Sequence, residues 1–325
     1  MKTKIKNIGL LFLAALSFIS CDDNENPEAP ATPAQFTAVR EAALDAQTQT
    51  FTATAGAGSI VLTSSKGVTI NLNGNALTKN GTAVTGAIDI EFVEIFDKGT
   101  MLVTNKPTMG VMPDGKKSLL ISGGEFFIKA SQGGIDLVST GTIQLQIPGN
   151  LTGGTDPQMT FWVGDNSDAD NFAWKQQILP ATTGLGEAGN VNAKGDNYVM
   201  TFGSFGWTNV DKFYSDPRPR TTILAAAPAG YDNTNSAIYL SYDGEGTNAL
   251  AQLDTYTSAG LFSEHYGQIP IGLACHVIFA TEDNGQWRYA IKAVTVQAND
   301  VYTFTMGETT VGSEAQLVAA INAIQ

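Results

Sequence analysis

From residue 48 onward the chain is divided into short apolar stretches, many alternating with period two, separated by turn-forming pairs. Asn73-Gly74, Asn80-Gly81, Asp114-Gly115, Asp243-Gly244 and Asn284-Gly285 stand between these runs. Such pairs tolerate the positive φ that tight hairpin turns demand. The runs at 59–62, 68–72, 87–96, 124–130, 142–147, 158–163 and 198–202 are rich in Val, Ile, Thr and aromatics, and they predict strands at β-sandwich spacing. The same grammar resumes at 221–226, 237–242, 273–281, 287–297 and 301–306, which predicts a second β domain.

One run breaks the alternation. Ile88, Ile90 and Phe92 share a face with Asp89 and Glu91 opposite, yet Val93 and Ile95 continue on the polar parity. A bulge near Phe92 would reconcile the two halves. Helical spacing occurs only near the ends. Phe36, Val39, Ala43 and Leu44 predict a short helix over 34–47, by the 3.6-residue period. At the other end Ser313 and Gln316 have capping-box spacing before the stripe Leu317, Ile321, Ile324, which predicts a terminal helix docked on the second domain.

The first 20 residues follow a different logic. Lys2, Lys4 and Lys6 precede an apolar run at 8–19, the arrangement of a secretory signal peptide. The run falls short of the ~20 residues a spanning helix needs. It ends at Ser20-Cys21, followed by Asp22, Asp23 and a polar stretch containing Pro27, Pro30 and Pro33. The expected layout is a signal peptide at 1–20, an acidic, Pro-rich tether with the short helix at 21–47, a β-sandwich region at 48–212 and a C-terminal β-sandwich domain at 213–325. Proline and polar residues favour an extended, solvated tether.

Phe18-Ile19-Ser20-Cys21 resembles a lipobox, with Phe18 in place of the usual Leu. The resemblance implies lipidation at Cys21. Acyl chains contribute ~0.8 kcal/mol per buried methylene, so two or more anchor stably. Ser20-Cys21-Asp22-Asp23-Asn24-Glu25-Asn26 looks like the start of a Bacteroidota lipoprotein, in which acids after the lipidated Cys imply outer-membrane attachment facing the cell surface. The segments 66–70, 84–90 and 121–126, within about 58–137, resemble a ZU5-like sandwich, and both domains are expected to be immunoglobulin-like or ZU5-like. Domains of that type are similar to structural or interaction modules. Residues 205–213 resemble a recurrent segment of uncharacterised Bacteroidota lipoproteins and bring no activity with them.

Net charge sharpens the picture. The formal charge is −13, and removing three lysines and no acid with the signal takes it to −16. Such a field repels nucleic acid, so no nucleic-acid partner is expected. With Cys21 acylated, Cys275 has no partner, and cohesion must come from core burial.

Candidate chemistry is sparse. Gly184, Gly186 and Gly189 satisfy G-x-G-x-x-G without the preceding strand and following helix a dinucleotide site needs, so a loop is expected and no cofactor is called for. Cys275 and His276 adjoin, but successive strand side chains face opposite sides. His265 and His276 are the two histidines, too few for a three-His zinc site. Asp165, Asp168 and Asp170 would offer hard oxygens to calcium. EF-hand spacing is missing, so no metal site is assigned and the three stand as a calcium candidate only. Asp89 and Glu91 lie ~6.6 Å apart along one strand face, the spacing of any solvated strand. Trp162, Trp174, Trp207 and Trp287 are the candidate ligand-binding aromatics, able to stack on sugars if exposed.

The expected function is a membrane-anchored, cell-surface module for binding, adhesion or assembly, with no catalytic residues. Its partners would be the membrane, through Cys21, and a protein or glycan ligand. A glycan-binding lipoprotein and a hydrolase with an unrecognised active site are the alternatives.

Overall fold

The computed structural model describes residues 29–165, 171–177, 189–264 and 266–325. Among them the chain is all-β, with six sheets and three helices. Four sheets form the layers. The outer N-terminal sheet runs Asn190–Lys194, Asn197–Phe202, Ile143–Pro148, Thr69–Asn73, Ser59–Thr63. The inner N-terminal sheet runs Gln49–Ala55, Gly86–Ile95, Lys117–Gln132, Gly206–Phe213, Thr160–Asp165, Ala173–Gln176, Met109–Val111. The inner C-terminal sheet comprises Ala251–Gln252, Ser236–Tyr242, Ala274–Asp283, Gln286–Thr295 and Thr310–Gly312. The outer one is built from Thr255–Tyr256, Phe262–Ser263, Leu224–Ala226 and Val301–Thr303. Every strand of the first pair precedes residue 214 and every strand of the second follows residue 219.

Three apolar cores separate these layers. The first joins the two N-terminal sheets through Ile70, Leu72, Leu145 and Met200 on one side and Ile90, Phe92, Phe126 and Ile128 on the other. The third joins the two C-terminal sheets through Ile238, Leu240, Val277 and Phe279 against Ala225 and Phe262. The second lies between the two inner sheets and is filled by the three helices: α1 (Pro33–Gln47), α2 (Lys98–Val103) and α3 (Glu314–Asn322). The order is therefore sheet, sheet, helices, sheet, sheet.

That middle layer corrects three expectations. First, Gly86–Ile95 pairs with Lys117–Gln132 in unbroken register from Asp89 opposite Ser131 to Ile95 opposite Glu125, so there is no bulge near Phe92. Ile88, Ile90 and Phe92 enter the first core, while Val93 and Ile95 enter the second on the opposite face. The register shift lies instead between Asn209 and Asp211.

Second, the amino-terminal helix is no appendage of the tether. Thr32 caps it in a reciprocal box with Gln35, and Phe36 meets the Trp287 ring edge-on, with centroids 6.2 Å apart. The chain is pinned before the helix starts: Asn235 Nδ2 donates to the Ala31 carbonyl at 2.9 Å. The docked part of the chain thus begins by Ala31, before the predicted start of the helix. Pro30 also packs on Gly230, where an added Cβ would come within 2.5 Å of its ring at a φ of +90°.

Third, α3 docks on α2 as well as on the inner C-terminal sheet. A Cβ on Gly99 would lie 2.6 Å from the Val318 carbonyl oxygen, so glycine permits the close approach. Asn322 bridges the two helices, accepting from Gly99 N at 2.9 Å and donating to Asp97 at 2.7 Å. Lys98, fully buried, places its Nζ 2.9 Å from Ser241 Oγ, 2.9 Å from the Gly246 carbonyl and 2.8 Å from the Ile324 carbonyl. All three ammonium donors are used. No helix among the described residues is long and apolar enough to cross a membrane.

Candidate functional site

The inner N-terminal sheet closes on itself at one end. Met109–Val111 pairs in parallel with Ala173–Gln176 and antiparallel with the start of Lys117–Gln132, making a ring of five strands. Gly164 lies inside the crowding this creates, where a Cβ would meet Trp207 at 2.6 Å and Phe172 at 2.7 Å. Trp162, Trp174 and Trp207 gather in this part of the middle core, and Trp287 joins them from the inner C-terminal sheet. Their exposures are 1%, 0%, 8% and 1%. Trp162, Trp174 and Trp287 are thus enclosed by side chains, while Trp207 borders an opening of about 280 Å³ lined also by Phe161, Phe205 and Gly206. The reason is the third layer, which covers the sheet face on which Trp162, Trp174 and Trp207 stand. Lys106 caps the aromatic group, its Nζ 4.4 Å from the Phe172 centroid and 5.1 Å from that of Trp207.

The same sheet face carries titratable groups that sequence reading missed. Glu125 and Asp211 are both fully buried. Burial pushes both well above the usual carboxylate range, and the nearby Asp211 adds to the shift at Glu125. Burial lowers Lys106 to about 8 against the pull of Glu125. Both Glu125 oxygens and Asp211 Oδ1 lack a hydrogen-bond partner. Burial of this kind favours the protonated carboxyl over the charged one, which limits the cost of enclosing it. Ser122 and Asn209 complete the cluster, with Ser122 Oγ donating to Asn209 Oδ1 at 3.0 Å and Asn209 Nδ2 donating to Asp211 at 2.6 Å.

Two further openings bear on the candidates for binding. One, of about 160 Å³, lies between α1 and the C-terminal sheets, lined in part by Phe36, Arg40, Gln252 and Asp254. Lys117 Nζ reaches Asp254 at 2.8 Å beside it, and Tyr266 donates to the same carboxylate at 2.9 Å. The other is an open trough of about 420 Å³ on the outer N-terminal sheet, lined by Ser59, Asn71, Asn73, Thr142 and Gln144. Glu125 and Asp211 line neither.

The trough belongs to a larger surface. Cross-strand partners share a face of the sheet, so the register gives outward rows. Thr63, Thr69, Gln146, Val199 and Asn192 form one. Val61, Asn71, Gln144, Thr201 and Asn190 form the next. Ser59 opposite Asn73 begins a third, beside Thr142. None of these side chains is charged; the first charge comes at the margin, at Lys194 next to the turn. Ser59 Oγ donates to Asn71 Oδ1 at 2.8 Å. By contrast, the solvent-facing side of Gly86–Ile95 carries Asp89 and Glu91, with Lys129 on the neighbouring strand 4.0 Å from Glu91 and 3.2 Å from Asp136. Asp89 and Glu91 thus stand on a solvated, ion-paired face.

The remaining candidates divide as follows. Asp165 pairs with Lys175 at 2.6 Å, while Asp168 and Asp170 lie outside the described residues. No group of three or more His, Cys, Asp or Glu among the described residues could hold a metal ion. Cys275 is fully buried in the third core, where burial pushes its thiol up to about 12. His276 lies on the opposite face, its Nδ1 2.8 Å from Asp243 Oδ1. Cys21, Gly184, Gly186 and His265 lie outside the described residues; Gly189 is buried against Phe161. Comparison of the chain with protein-family models, curated proteins and solved structures returned no match.

Proposed function

We propose that the chain is an exported lipoprotein, anchored through acylated Cys21 in an outer membrane, that acts as a non-catalytic binding or adhesion module and presents the outer N-terminal sheet to its partner. The amino-terminal charge, apolar run and Cys21 support the anchor. The observation that carries the binding reading is the uncharged outward face of a five-stranded sheet, open to solvent on a protein of net charge −13. Rigid sheets hold side chains in fixed register, which lowers the ordering cost of binding. The non-catalytic part is supported by what the polar groups do. Glu125 and Asp211 are sealed from solvent, Lys98 ties helices to sheets, and His276 and Asp243 line neither opening.

The test has two parts. Expressed with its leader in a host that processes lipoproteins, the chain should partition into the detergent phase, and Cys21→Ser should move it to the aqueous phase. Immobilised wild-type protein should retain a component of the native cell envelope, and the double variant Asn71→Asp, Gln144→Glu should lose that retention while keeping its circular-dichroism spectrum. Aqueous partitioning of the wild type would overturn the anchor, and undiminished retention by the double variant would overturn the assigned face.

A further inference from the structure

Resting on that reading, we infer that the ligand of the outer N-terminal sheet is a neutral glycan chain laid across the strands. The face offers amides and hydroxyls. Each amide presents a donor pair and an acceptor, and each hydroxyl can act either way, which matches the dual character of sugar hydroxyls. A charged ligand would find no counter-ion in the rows, and an anionic polymer would also meet the field of a strongly acidic protein. An apolar protein partner would find only Val61 and Val199 among the outward rows.

Spacing supports a polymer running across the sheet. Neighbouring strands lie ~4.8 Å apart, comparable to the length of one pyranose unit in an extended chain. The row Asn71, Gln144, Thr201, Asn190 therefore offers a polar side chain to each of four successive sugars. The trough at one end of the face, between Ser59 and Gln144, gives the chain a shallow seat. With no aromatic ring in the rows, affinity comes from hydrogen bonds exchanged with water, each contributing little. Binding should accordingly grow with polymer length, as many weak contacts act together.

The experiment is affinity electrophoresis of the full-length chain in detergent, through gels containing dextran, mannan, soluble β-1,3-glucan or hydroxyethyl cellulose, with polygalacturonate as the anionic polymer. At least one neutral polymer should retard the protein and polygalacturonate should not. Gln144→Glu with Asn71→Asp should weaken the retardation at least tenfold, whereas Lys129→Gln, on the other exposed face, should leave it unchanged. Short oligosaccharides of the retarding polymer should compete poorly. Absence of retardation by all four neutral polymers, stronger retardation by polygalacturonate, or equal retardation of the double variant would overturn the inference. So would sedimentation as a dimer that the double variant abolishes, since a second copy would then occupy the face. Failure here with retention from the native envelope intact would remove the glycan and leave the binding module standing.

Discussion

The outer and inner N-terminal sheets are built from similar residues, yet they differ in how many faces they bury. In the outer sheet, Ile143–Pro148 alternates strictly, with Ile143, Leu145 and Ile147 inside and Gln144 and Gln146 exposed. In the inner sheet, Gly86–Ile95 begins with the same alternation and then fills both faces, with Val93, Glu94 and Ile95 all buried. Ser236–Tyr242 in the inner C-terminal sheet is buried along its whole length. A strand that alternates has one neighbour layer; a strand that stops alternating without a bulge has two. The outer sheet therefore leaves one face to solvent, and the inner sheet packs on both faces and joins the two halves.

The largest break in this comparison should come from the helical layer. Phe36→Ala removes the α1 side chain that meets Trp287, and truncating a buried phenylalanine costs ~3–5 kcal/mol. Urea denaturation should show that loss, and intrinsic fluorescence should shift to the red as the Trp287 environment opens. A loss below 1 kcal/mol would mean that α1 is a peripheral strap and not part of the core.

A smaller effect should follow pH. Glu264, pushed up to about 7 by burial, binds its proton more tightly in the folded than in the unfolded chain. The stability it lends is complete below its ordinary value of 4.5 and is lost as pH rises through about 7. Glu125 and Asp211 are shifted in the same direction and add to the same slope. Unfolding free energy should fall by about 2–3 kcal/mol between pH 4.5 and pH 8 from Glu264 alone, and Glu264→Gln should remove that share. Stability that rises over this interval would contradict the assignment.

The smallest effect belongs to the outer sheet. Val61 is 59% exposed, and Val61→Ala should change stability by no more than ~0.5 kcal/mol. A loss approaching that of Phe36→Ala would mean that the outward face packs against something within the molecule.

Most strands and turns and both outer helices were legible because each depends on local chemistry, but Asn73-Gly74 is no positive-φ hairpin turn: Asn73, at φ −85°, caps a short 3-10 turn over Gly74–Ala76 through its side chain. Turn pairs such as Asn284-Gly285 need a positive φ, observed at 50° and 80°, and Ser313 caps α3 through the Gln316 amide as its spacing implied. Helix α2 was not legible: six residues carry too little periodicity to stand out, and every one of them is buried by neighbours distant in sequence. The candidate surface was half legible. Alternation puts Gln144 and Gln146 on the face opposite Ile143, Leu145 and Ile147, but the register that aligns Gln144 with Asn71, Thr201 and Asn190 comes from pairing between strands far apart in the chain. The tryptophans show the converse: the sequence left their exposure open, and burial between layers encloses Trp162, Trp174 and Trp287.

By itself the sequence determined the β class and the turns, because short-range steric preference and two-residue periodicity suffice for both. Only the tertiary structure decided that the helices form a middle layer, that two carboxyls and a lysine are enclosed there, and that one neutral face is left open. Burial of a second face and cross-strand register are set by contacts between segments far apart in the chain, and no local pattern encodes them.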